Sequence, residues 1–299
     1  MNRVLLTGSN GFIGSAVLEH LQEAFEVIQV LRSSRRVSGA MGVIEATLGE
    51  AEFCEKILKK IECCDAIVHI AAAISFDNFD EAIVKTNCLG SMQMARLARK
   101  LGCRVFIYLS SVQVIGAPSI LPLTENHPEK PLTVYHASKL FAEHALKAAL
   151  GETIRVIVLR IPSPVGWGMP PDKILPTFIR QCLKNKDLMI AGNGKRVQNY
   201  LDVRDVALAV GVALKNLRAQ GVYNIVSPKS YSNLELAKLC ISLCKSCSNV
   251  TFSHKKDLEE NNQWFFADDK QRNELKFLPK FSLEDTILQI KNRYENSYF

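Results

Sequence analysis

The strongest constraint on the fold lies in the first fourteen residues, MNRVLLTGSNGFIG, where a short apolar run precedes three glycines spaced three residues apart. The run from Arg3 to Thr7 has the composition of a buried strand. The apolar residues after the first glycine recur at helical spacing; they are Phe12, Ile13, Val17, Leu18 and Leu21. A strand, a glycine-rich turn and a helix in this order predict a dinucleotide-binding βα unit rather than an ordinary strand-to-helix turn.

Each glycine has its own predicted role, because only a residue without a Cβ allows a positive φ and the close approach of another backbone or a ligand. Gly8 would form the tight turn, Gly11 would pass close to a pyrophosphate, and Gly14 would let the helix pack near the sheet. Free N–H groups at the helix N-terminus would face the anion. The cofactor contacts predicted here are Gly8, Asn10, Gly11, Phe12, Ile13 and Gly14.

Apolar strands alternate with amphipathic helices as far as Ile161, which predicts an α/β fold with a Rossmann-type doubly wound parallel sheet. The predicted strands are Arg3 to Thr7, Glu26 to Leu31, Gly42 to Ala46, Ala66 to Ala71, Arg104 to Ser110 and Arg155 to Ile161. The longest predicted helices are Asp80 to Leu101 and Val134 to Leu150. Residues 1–165 would form the dinucleotide-binding domain, to which 200–226 return, and 166–199 with 227–299 would form a smaller mixed C-terminal substrate lobe.

The formal net charge of +7 does not indicate nucleic acid, because the basic residues are spread along the chain. The one basic cluster, Arg32, Arg35 and Arg36, favours a local anion instead. No apolar run is long enough to span a bilayer, and no signal peptide precedes the first strand. We therefore expect a cytoplasmic protein with no nucleic-acid or membrane partner.

The cysteines are scattered, which argues against a disulfide framework and fits a reducing compartment. Cys240, Cys244 and Cys247 have the CxxxCxxC spacing of iron–sulfur radical enzymes. They fall within an apparent helix, however, where this spacing places them on one apolar face with neighbouring leucines. We interpret them as core residues and predict no metal site.

A group of polar residues follows the predicted strand ends where ligands bind in such sheets. Ser110 and Ser111 end one strand, and Tyr135 begins the next long helix with Lys139 one turn later. Ionising a free tyrosine at neutral pH costs roughly 4 kcal/mol. One positive charge at about 4 Å in a dielectric of about 20 supplies that amount, so Lys139 should suffice to lower the pKa of Tyr135. We predict that Tyr135 exchanges a proton with a substrate oxygen, that Ser111 holds this oxygen, and that hydride moves at the adjacent carbon.

These and further motifs follow one another in a familiar order: TGSNGFIG, DAIVHIAAA, TNCLGS, VFIYLSSVQVIG, YHASK, LRIPSPVGWG and NYLDVRDVA. The chain resembles the extended short-chain dehydrogenases/reductases of the NAD-dependent epimerase/dehydratase kind, which modify nucleotide-linked sugars. The resemblance implies that Asn87 is a structural and proton-relay residue. It also implies a homodimer formed through the two long helices. The further cofactor contacts that it implies are Ala71, Ala72, Ala73 and Pro162, beside Tyr135 and Lys139.

Departures from the family pattern reduce the number of reactions that the chain could catalyse. The Asp-Glu pair of dehydratases is replaced by Val112 and Gln113, so no acid is present to expel a hydroxyl. The cysteine of fucose-pathway epimerase-reductases would also fall at Val112, and the loop from Gly166 to Met169 contains no histidine. Both dehydration and that form of epimerisation lose support.

The end of the second strand decides the predicted cofactor. NAD-preferring relatives place a carboxylate where this chain has Leu31, followed by Arg32 and, further on, Arg35. Arginine binds a 2′-phosphate through charge-assisted hydrogen bonds, so NADP(H) is favoured, with NAD(H) as the alternative. A solvated basic loop is the competing interpretation.

Substrate contacts are assigned by the same comparison to Ser110, Ser111, Val112, Ser163, Arg196 and Gln198. The family's diphosphate arginine falls at Gln198, and a second such arginine has no evident counterpart. Either Arg196 substitutes or the substrate is smaller and less charged. The leading prediction is an NADPH-dependent reductase of a nucleotide-linked keto-sugar. The alternatives are an NAD-dependent nucleotide-sugar 4-epimerase and a non-catalytic NADP-binding redox sensor.

Overall fold

The computed structural model describes residues 2–33, 42–75, 77, 79–253 and 255–297. Its strands are β1 (Arg3–Thr7), β2 (Glu26–Leu31), β3 (Val43–Glu45), β4 (Ala66–His69), β5 (Val105–Ser111), β6 (Arg155–Ile161), β7 (Ser163–Val165), β8 (Leu188–Ile190), β9 (Val197–Asp202), β10 (Gly221–Asn224), β11 (Ser230–Ser232) and β12 (Val250–Phe252). Its α-helices are α1 (Phe12–Gln22), α2 (Phe53–Leu58), α3 (Glu81–Ile83), α4 (Gly90–Lys100), α5 (Val134–Leu150), α6 (Ile174–Leu183), α7 (Val203–Lys215), α8 (Asn233–Cys244) and α9 (Leu283–Ser297).

Seven of these strands form one parallel sheet in the order β10-β6-β5-β4-β1-β2-β3. The strand order reverses beside β1, which pairs with β2 on one side and with β4 on the other. The register places Thr7, the last residue of β1, next to His69, the last residue of β4. A crevice forms between the carboxyl ends of strands at such a reversal.

Helices cover both faces of the sheet, as the alternating side chains of its strands require. Val4 and Leu6 of β1 pack in one apolar cluster with α1 and α7. Leu5, between them, packs in the opposite cluster with α2, α4 and α5. The predicted α/β fold with a doubly wound parallel sheet is confirmed.

The long helix predicted from Asp80 to Leu101 is divided in the structure. A π-helical turn, Val84–Leu89, joins α3 to α4 and carries Asn87 towards the interior. The other long helix, α5, has the predicted bounds, and the side chain of Thr133 caps it by accepting a hydrogen bond from the His136 N–H. The interruption thus falls beside a residue to which we assign a role in the site.

The C-terminal part builds two small sheets, β11-β9-β7 and β12-β8, around an apolar core shared by α6, α8 and α9. Cys240 is buried in this core, whereas Cys247 lies beyond the end of α8. Residues 200–202 belong to β9 of the small sheet, while α7 packs on α1 and β10 pairs with β6 at the edge of the main sheet. The domain boundaries stay a prediction. Within the described ranges, each helix is too short or too polar to cross a bilayer.

Candidate active site

A cavity of about 670 Å³ lies at the carboxyl ends of β1, β4 and β5 and extends to the small lobe. The residues in its wall for which we predict contacts are Gly8, Asn10, Gly11, Phe12, Ile13, Gly14, Arg32, Ala71, Ala72, Ala73, Ser110, Tyr135, Lys139, Pro162, Ser163 and Gln198. Asn87, Ser111, Val112 and Arg196 do not contribute to this wall, and Arg35 lies outside the described residues. One cavity therefore joins the glycine-rich turn to the tyrosine and lysine of α5.

The three glycines of the turn differ in what a side chain would meet. Gly8 has a φ of +78°, and a Cβ there would lie 2.7 Å from the Ala71 N. A Cβ at Gly14 would overlap the carbonyl oxygen of Gly8. At Gly11 a Cβ would touch only that oxygen, at 3.4 Å, among the atoms of the described residues. The fold itself therefore excludes side chains at Gly8 and Gly14, whereas at Gly11 the empty space belongs to the cavity.

The turn and the start of α1 fit the pyrophosphate of a dinucleotide. Gly11 is the N-cap residue, and no side chain caps the helix. The first N–H groups of a helix have no partner within it, so those of α1 are directed to the cavity end and are available to an anion. The structure thus supports the fit by two features of the chain: unoccupied donors and the missing Cβ at Gly11.

A buried chain of hydrogen bonds runs from β1 to the π-helical turn. The Ser91 hydroxyl donates to the Asn87 carbonyl oxygen at 2.6 Å, so it accepts from the His69 Nε2 at 3.2 Å. His69 then carries its proton on Nε2, and its Nδ1 accepts from the Thr7 hydroxyl at 2.8 Å. Burial lowers the pKa of His69 to about 3, so the ring stays neutral. Thr7 in turn accepts from the N–H groups of Ile70 and Ala71, which fixes the segment facing Gly8.

Asn87 ties this segment to α5. Its Oδ1 accepts from the Ala73 N at 2.8 Å, and its Nδ2 donates to the Ala73 O at 3.0 Å and to the Ser138 Oγ at 2.9 Å. The Ser138 hydroxyl donates to the Tyr135 carbonyl oxygen. Asn87 therefore acts on the site by holding its parts in place, and the proton-relay role stays a prediction.

Tyr135 and Lys139 lie one turn apart on α5, in the wall of the cavity. Lys139 is buried, its Nζ donates to the Leu109 O at 2.7 Å, and the Nζ lies 4.7 Å from the centre of the Tyr108 ring. Burial raises the pKa of Tyr135 to about 12 and lowers that of Lys139 to about 8. The prediction that Lys139 alone lowers the pKa of Tyr135 to near neutral pH is thus wrong for the protein without cofactor, because it left out the desolvation of the phenol.

The two serines at the end of β5 point to different partners. Ser110 is buried and its hydroxyl donates to the Glu143 carboxylate. The Ser111 hydroxyl accepts from the Gln113 N at 3.2 Å and caps a short 3₁₀ turn, Val112–Ile115. This bond uses an acceptor site of the Ser111 hydroxyl, and because Ser111 does not contribute to the cavity wall, its contact with a substrate oxygen stays a prediction.

The predicted substrate residues are divided between two environments. Ser163 and Gln198 lie in the cavity wall, and their side chains approach each other to 3.5 Å. Arg196 lies away from the wall and pairs with Glu259 and, at 3.6 Å, with Asp257. Val112 is buried among apolar residues that include Trp264. In this arrangement Arg196 holds two loops of the small lobe together.

The sequence analysis missed several residues of the wall, among them Thr86, Lys173 and Tyr200. Thr86 precedes Asn87 in TNCLGS, so the motif contained a signal for it. Lys173 directly precedes α6, and Tyr200 lies on β9. No local pattern announces either one, because the folding of the small lobe onto the sheet brings them to the cavity.

Comparison with known proteins identifies this arrangement. Residues 4–226 match the family model described as the NAD dependent epimerase/dehydratase family. The chain belongs to this family. The match covers the main sheet from β1 to β10 and the glycine-rich turn, and it includes Tyr135 and Lys139. The protein is therefore an enzyme of the oxidoreductase type that characterises the NAD dependent epimerases and dehydratases.

Within the family, the chain is similar to enzymes with different reactions. It is 29% identical over 271 residues to a dTDP-D-glucose 4,6-dehydratase of Dictyostelium discoideum, covering 81% of this chain and 62% of that protein's length. It is 27% identical over 326 residues to a UDP-glucose 4-epimerase of Azospirillum brasilense, covering 99% of this chain and 92% of the relative. The structure superimposes on a Thermotoga maritima UDP-glucose 4-epimerase solved with UDP-glucose, with a TM-score of 0.88, 24% identity and 100% of both chains covered. This last likeness shows the fold.

Proposed function

We propose that this protein is an NADPH-dependent reductase of a nucleotide-linked keto-sugar. The observation that carries the proposal is that one cavity contains the glycine-rich turn, Arg32 near one end, and Tyr135 with Lys139 near the other. The nucleotide-sugar substrate is supported by the relatives, which are named as nucleotide-sugar enzymes.

The side chains of the site would supply the proton that such a reduction adds to the substrate oxygen. Tyr135, with its pKa near 12, keeps its proton at neutral pH and donates it to the oxygen formed at the reduced carbon. Lys139, protonated below its pKa of about 8, stabilises the phenolate that remains. Ser111 orients the same oxygen through its free hydroxyl proton. When bound, the reduced dinucleotide supplies the hydride.

The choice of NADPH rests on the end of β2. Leu31 stands where a carboxylate would repel a 2′-phosphate, and Arg32, in the cavity wall, offers a guanidinium that can bind it. Arg35 would add a second guanidinium. NAD(H), which lacks this phosphate and is named in the family description, is the alternative cofactor.

The test is a comparison of cofactor affinities. We expect NADPH to bind at least tenfold more tightly than NADH to the wild-type protein, and the variant Arg32→Glu to reverse this order because it replaces attraction to the phosphate by repulsion. Arg104→Glu is the matched control. Arg104 directly precedes β5, at the end of that strand opposite to Ser110 and Ser111, and pairs with Asp65, so this variant should leave the ratio of NADPH affinity to NADH affinity unchanged. Equal or tighter binding of NADH to the wild type contradicts the NADPH assignment.

A second function, 4-epimerisation with retained NAD⁺, is favoured by the near full-length match to a UDP-glucose 4-epimerase. The same Tyr135 would then take a proton and return it within each cycle. The two functions differ in net redox change. Purified protein that retains oxidised cofactor and converts a UDP-sugar with no net change in absorbance at 340 nm supports epimerisation and excludes the reductase.

Other reactions receive less support from the site. Val112 and Gln113 leave the dehydratase position without a carboxylate, and Val112 is buried in an apolar cluster. The intact Tyr135 and Lys139 oppose the non-catalytic alternative, as does membership of an enzyme family. The homodimer, the cytoplasmic location and the roles of the individual site residues belong to the same proposal.

A further inference from the structure

A buried set of charges lies next to Lys139 and takes no part in the proposed chemistry. Lys139 is 4% exposed, Glu143 one turn further along α5 is 5% exposed, and Arg160 on β6 is 1% exposed. The Glu143 carboxylate accepts from the Arg160 Nε, at 3.1 Å and 3.2 Å to its two oxygens, and from the Arg160 Nη2 at 2.6 Å. It also accepts from the Ser110 hydroxyl. Three elements therefore fix this carboxylate.

The other groups around Lys139 carry no negative charge at neutral pH. From β4, His69 faces it as a neutral ring whose pKa is about 3. From β5, Tyr108 presents its ring face, and burial holds its pKa well above the usual value. On α5 itself, Tyr135 is protonated. Among the described neighbours, Glu143 is thus the carboxylate that raises the pKa of Lys139 against the effect of burial.

The arrangement balances its charges. Lys139 and Arg160 contribute two positive charges, while Glu143 and Glu129, the second partner of Arg160, contribute two negative charges. Isolated charges are costly to bury, so each ammonium or guanidinium requires a nearby carboxylate. Burial leaves Lys139 with a pKa of about 8, only about one unit above neutrality. Removal of the adjacent carboxylate would therefore favour the neutral amine.

We propose that Glu143, anchored by Arg160 and Ser110, is a positioning residue that keeps the buried Lys139 ammonium, one turn away on α5, charged. The inference rests on the proposed function for its catalytic consequence, because Lys139 must be protonated to stabilise the Tyr135 phenolate. Its physical part, the coupling of Glu143 to Lys139, is independent of the substrate and of the cofactor.

The first test is a titration of the cofactor-free protein. Lysine labelled with ¹³C at Cε reports its own protonation by NMR, and Lys139→Met identifies the resonance. We expect a midpoint near pH 8 in the wild type and a midpoint at least one pH unit lower in Glu143→Gln, which keeps the size but replaces one acceptor oxygen by an NH2 donor. Glu143→Asp, which keeps the charge, should restore much of the midpoint. Glu129→Gln, which removes a carboxylate from the far side of Arg160, is the matched control and should shift it much less.

The second test is the pH dependence of kcat with NADPH and a UDP-4-keto-sugar. Activity requires the protonated lysine, so it is present below the pKa of Lys139 and is lost as the pH rises through it. The descending limb should move to lower pH in Glu143→Gln by the same amount as the NMR midpoint. If neither substrate nor cofactor is turned over, the proposed function fails while the titration still decides the coupling.

The outcomes are distinct. An unchanged Lys139 midpoint in folded Glu143→Gln overturns the inference, as does equal behaviour of the Gln and Asp variants, which would indicate a purely structural residue. Should Glu143→Gln fail to fold, the double variant Glu143→Gln, Arg160→Met removes both partners of the Glu143–Arg160 ion pair and is compared with Arg160→Met alone, so that the two proteins differ only at residue 143. A lower midpoint in the double variant than in Arg160→Met supports the inference, and an equal one overturns it.

Discussion

Asn87 and Ala73 exchange two hydrogen bonds, with the Ala73 N donating to the Asn87 Oδ1 and the Asn87 Nδ2 donating to the Ala73 O. The pair connects the π-helical turn to the segment that follows β4, and the second proton of the amide reaches Ser138 on α5. The cofactor side and the catalytic helix are thereby held by one side chain.

Replacing Asn87 by Ala should lower the free energy of unfolding by about 2 kcal/mol, because it leaves polar groups without partners. It should also weaken cofactor binding, since the 71–73 segment loses its anchor. Thermal denaturation and cofactor titration measure the two effects. Asn216→Ala is the control: its amide also donates to backbone carbonyls, of Glu274 and Leu275, but away from the cavity. Equal loss of cofactor affinity in both variants contradicts the assigned role.

The glycine-rich turn allows a prediction that separates folding from binding. Gly14→Ala should be destabilised by about 3 kcal/mol or more, because its methyl group would overlap the Gly8 carbonyl oxygen. Gly11→Ala should retain its melting temperature within a few degrees and bind NADPH at least tenfold more weakly. Calorimetry of the unfolding transition and of cofactor binding gives both quantities. A Gly11→Ala variant with normal affinity would show that the pyrophosphate lies elsewhere.

Tyr135→Phe removes the proposed proton donor without changing the shape of the helix. We expect kcat to fall by about 10² to 10⁴, the usual contribution of a positioned acid, with cofactor affinity retained. Initial rates and fluorescence titration provide the comparison. Tyr294→Phe, which loses a hydroxyl bonded to Arg180 in the small lobe, should keep wild-type rates. Wild-type turnover by Tyr135→Phe would exclude the mechanism.

The buried His69 makes the stability of the protein depend on pH. Its pKa is about 3 in the folded protein and near 6.5 in an unfolded chain, so the unfolded state binds a proton first. The contribution is fully present above about pH 6.5 and is lost at roughly 1.4 kcal/mol per unit as the pH falls towards 3. Urea denaturation at several pH values between 7 and 5 gives the free energy of unfolding as a function of pH. This free energy should change less with pH in His69→Gln than in the wild type. His144→Gln, at an exposed ion pair, should keep the wild-type slope.

Apolar side chains on the two long helices are exposed in a way that fits the homodimer of the proposal. Met92, next to the π-helical turn, is 51% exposed, and Phe141 on α5 is 43% exposed. The double variant Met92→Glu, Phe141→Glu should be a monomer in light scattering, because the carboxylates would be buried unpaired at the interface. Leu217→Glu, also exposed but after α7, should leave the mass unchanged. A wild-type protein that is monomeric at 50 μM excludes this dimer.

The sequence predicted the main sheet closely because its signals are local. The strands Arg3–Thr7, Glu26–Leu31 and Arg155–Ile161 have the predicted bounds, since each is a largely apolar run bounded by polar or turn residues. The π-helical turn escaped prediction because its residues continue an amphipathic pattern, and the widening of the helix depends on where Asn87 finds partners.

The features of the site that were not predicted depend on distant contacts. Arg196 is paired with Asp257 and Glu259, more than sixty residues further along the chain, and no local pattern reveals this. The pKa of Tyr135 was placed too low because sequence spacing shows which charge is near but not how deeply the phenol is buried. Charge neighbours on one helix can be read from the sequence, whereas solvation is a property of the assembled fold.

The three glycines at the start of the chain are subject to two different evolutionary constraints. Gly8 and Gly14 would persist in any descendant that keeps its shape, whether or not it still works. The fold does not exclude a side chain at position 11, so a homologue that no longer bound a coenzyme could carry alanine or serine there. A glycine at position 11 is therefore explained by the binding of a ligand rather than by the needs of the fold.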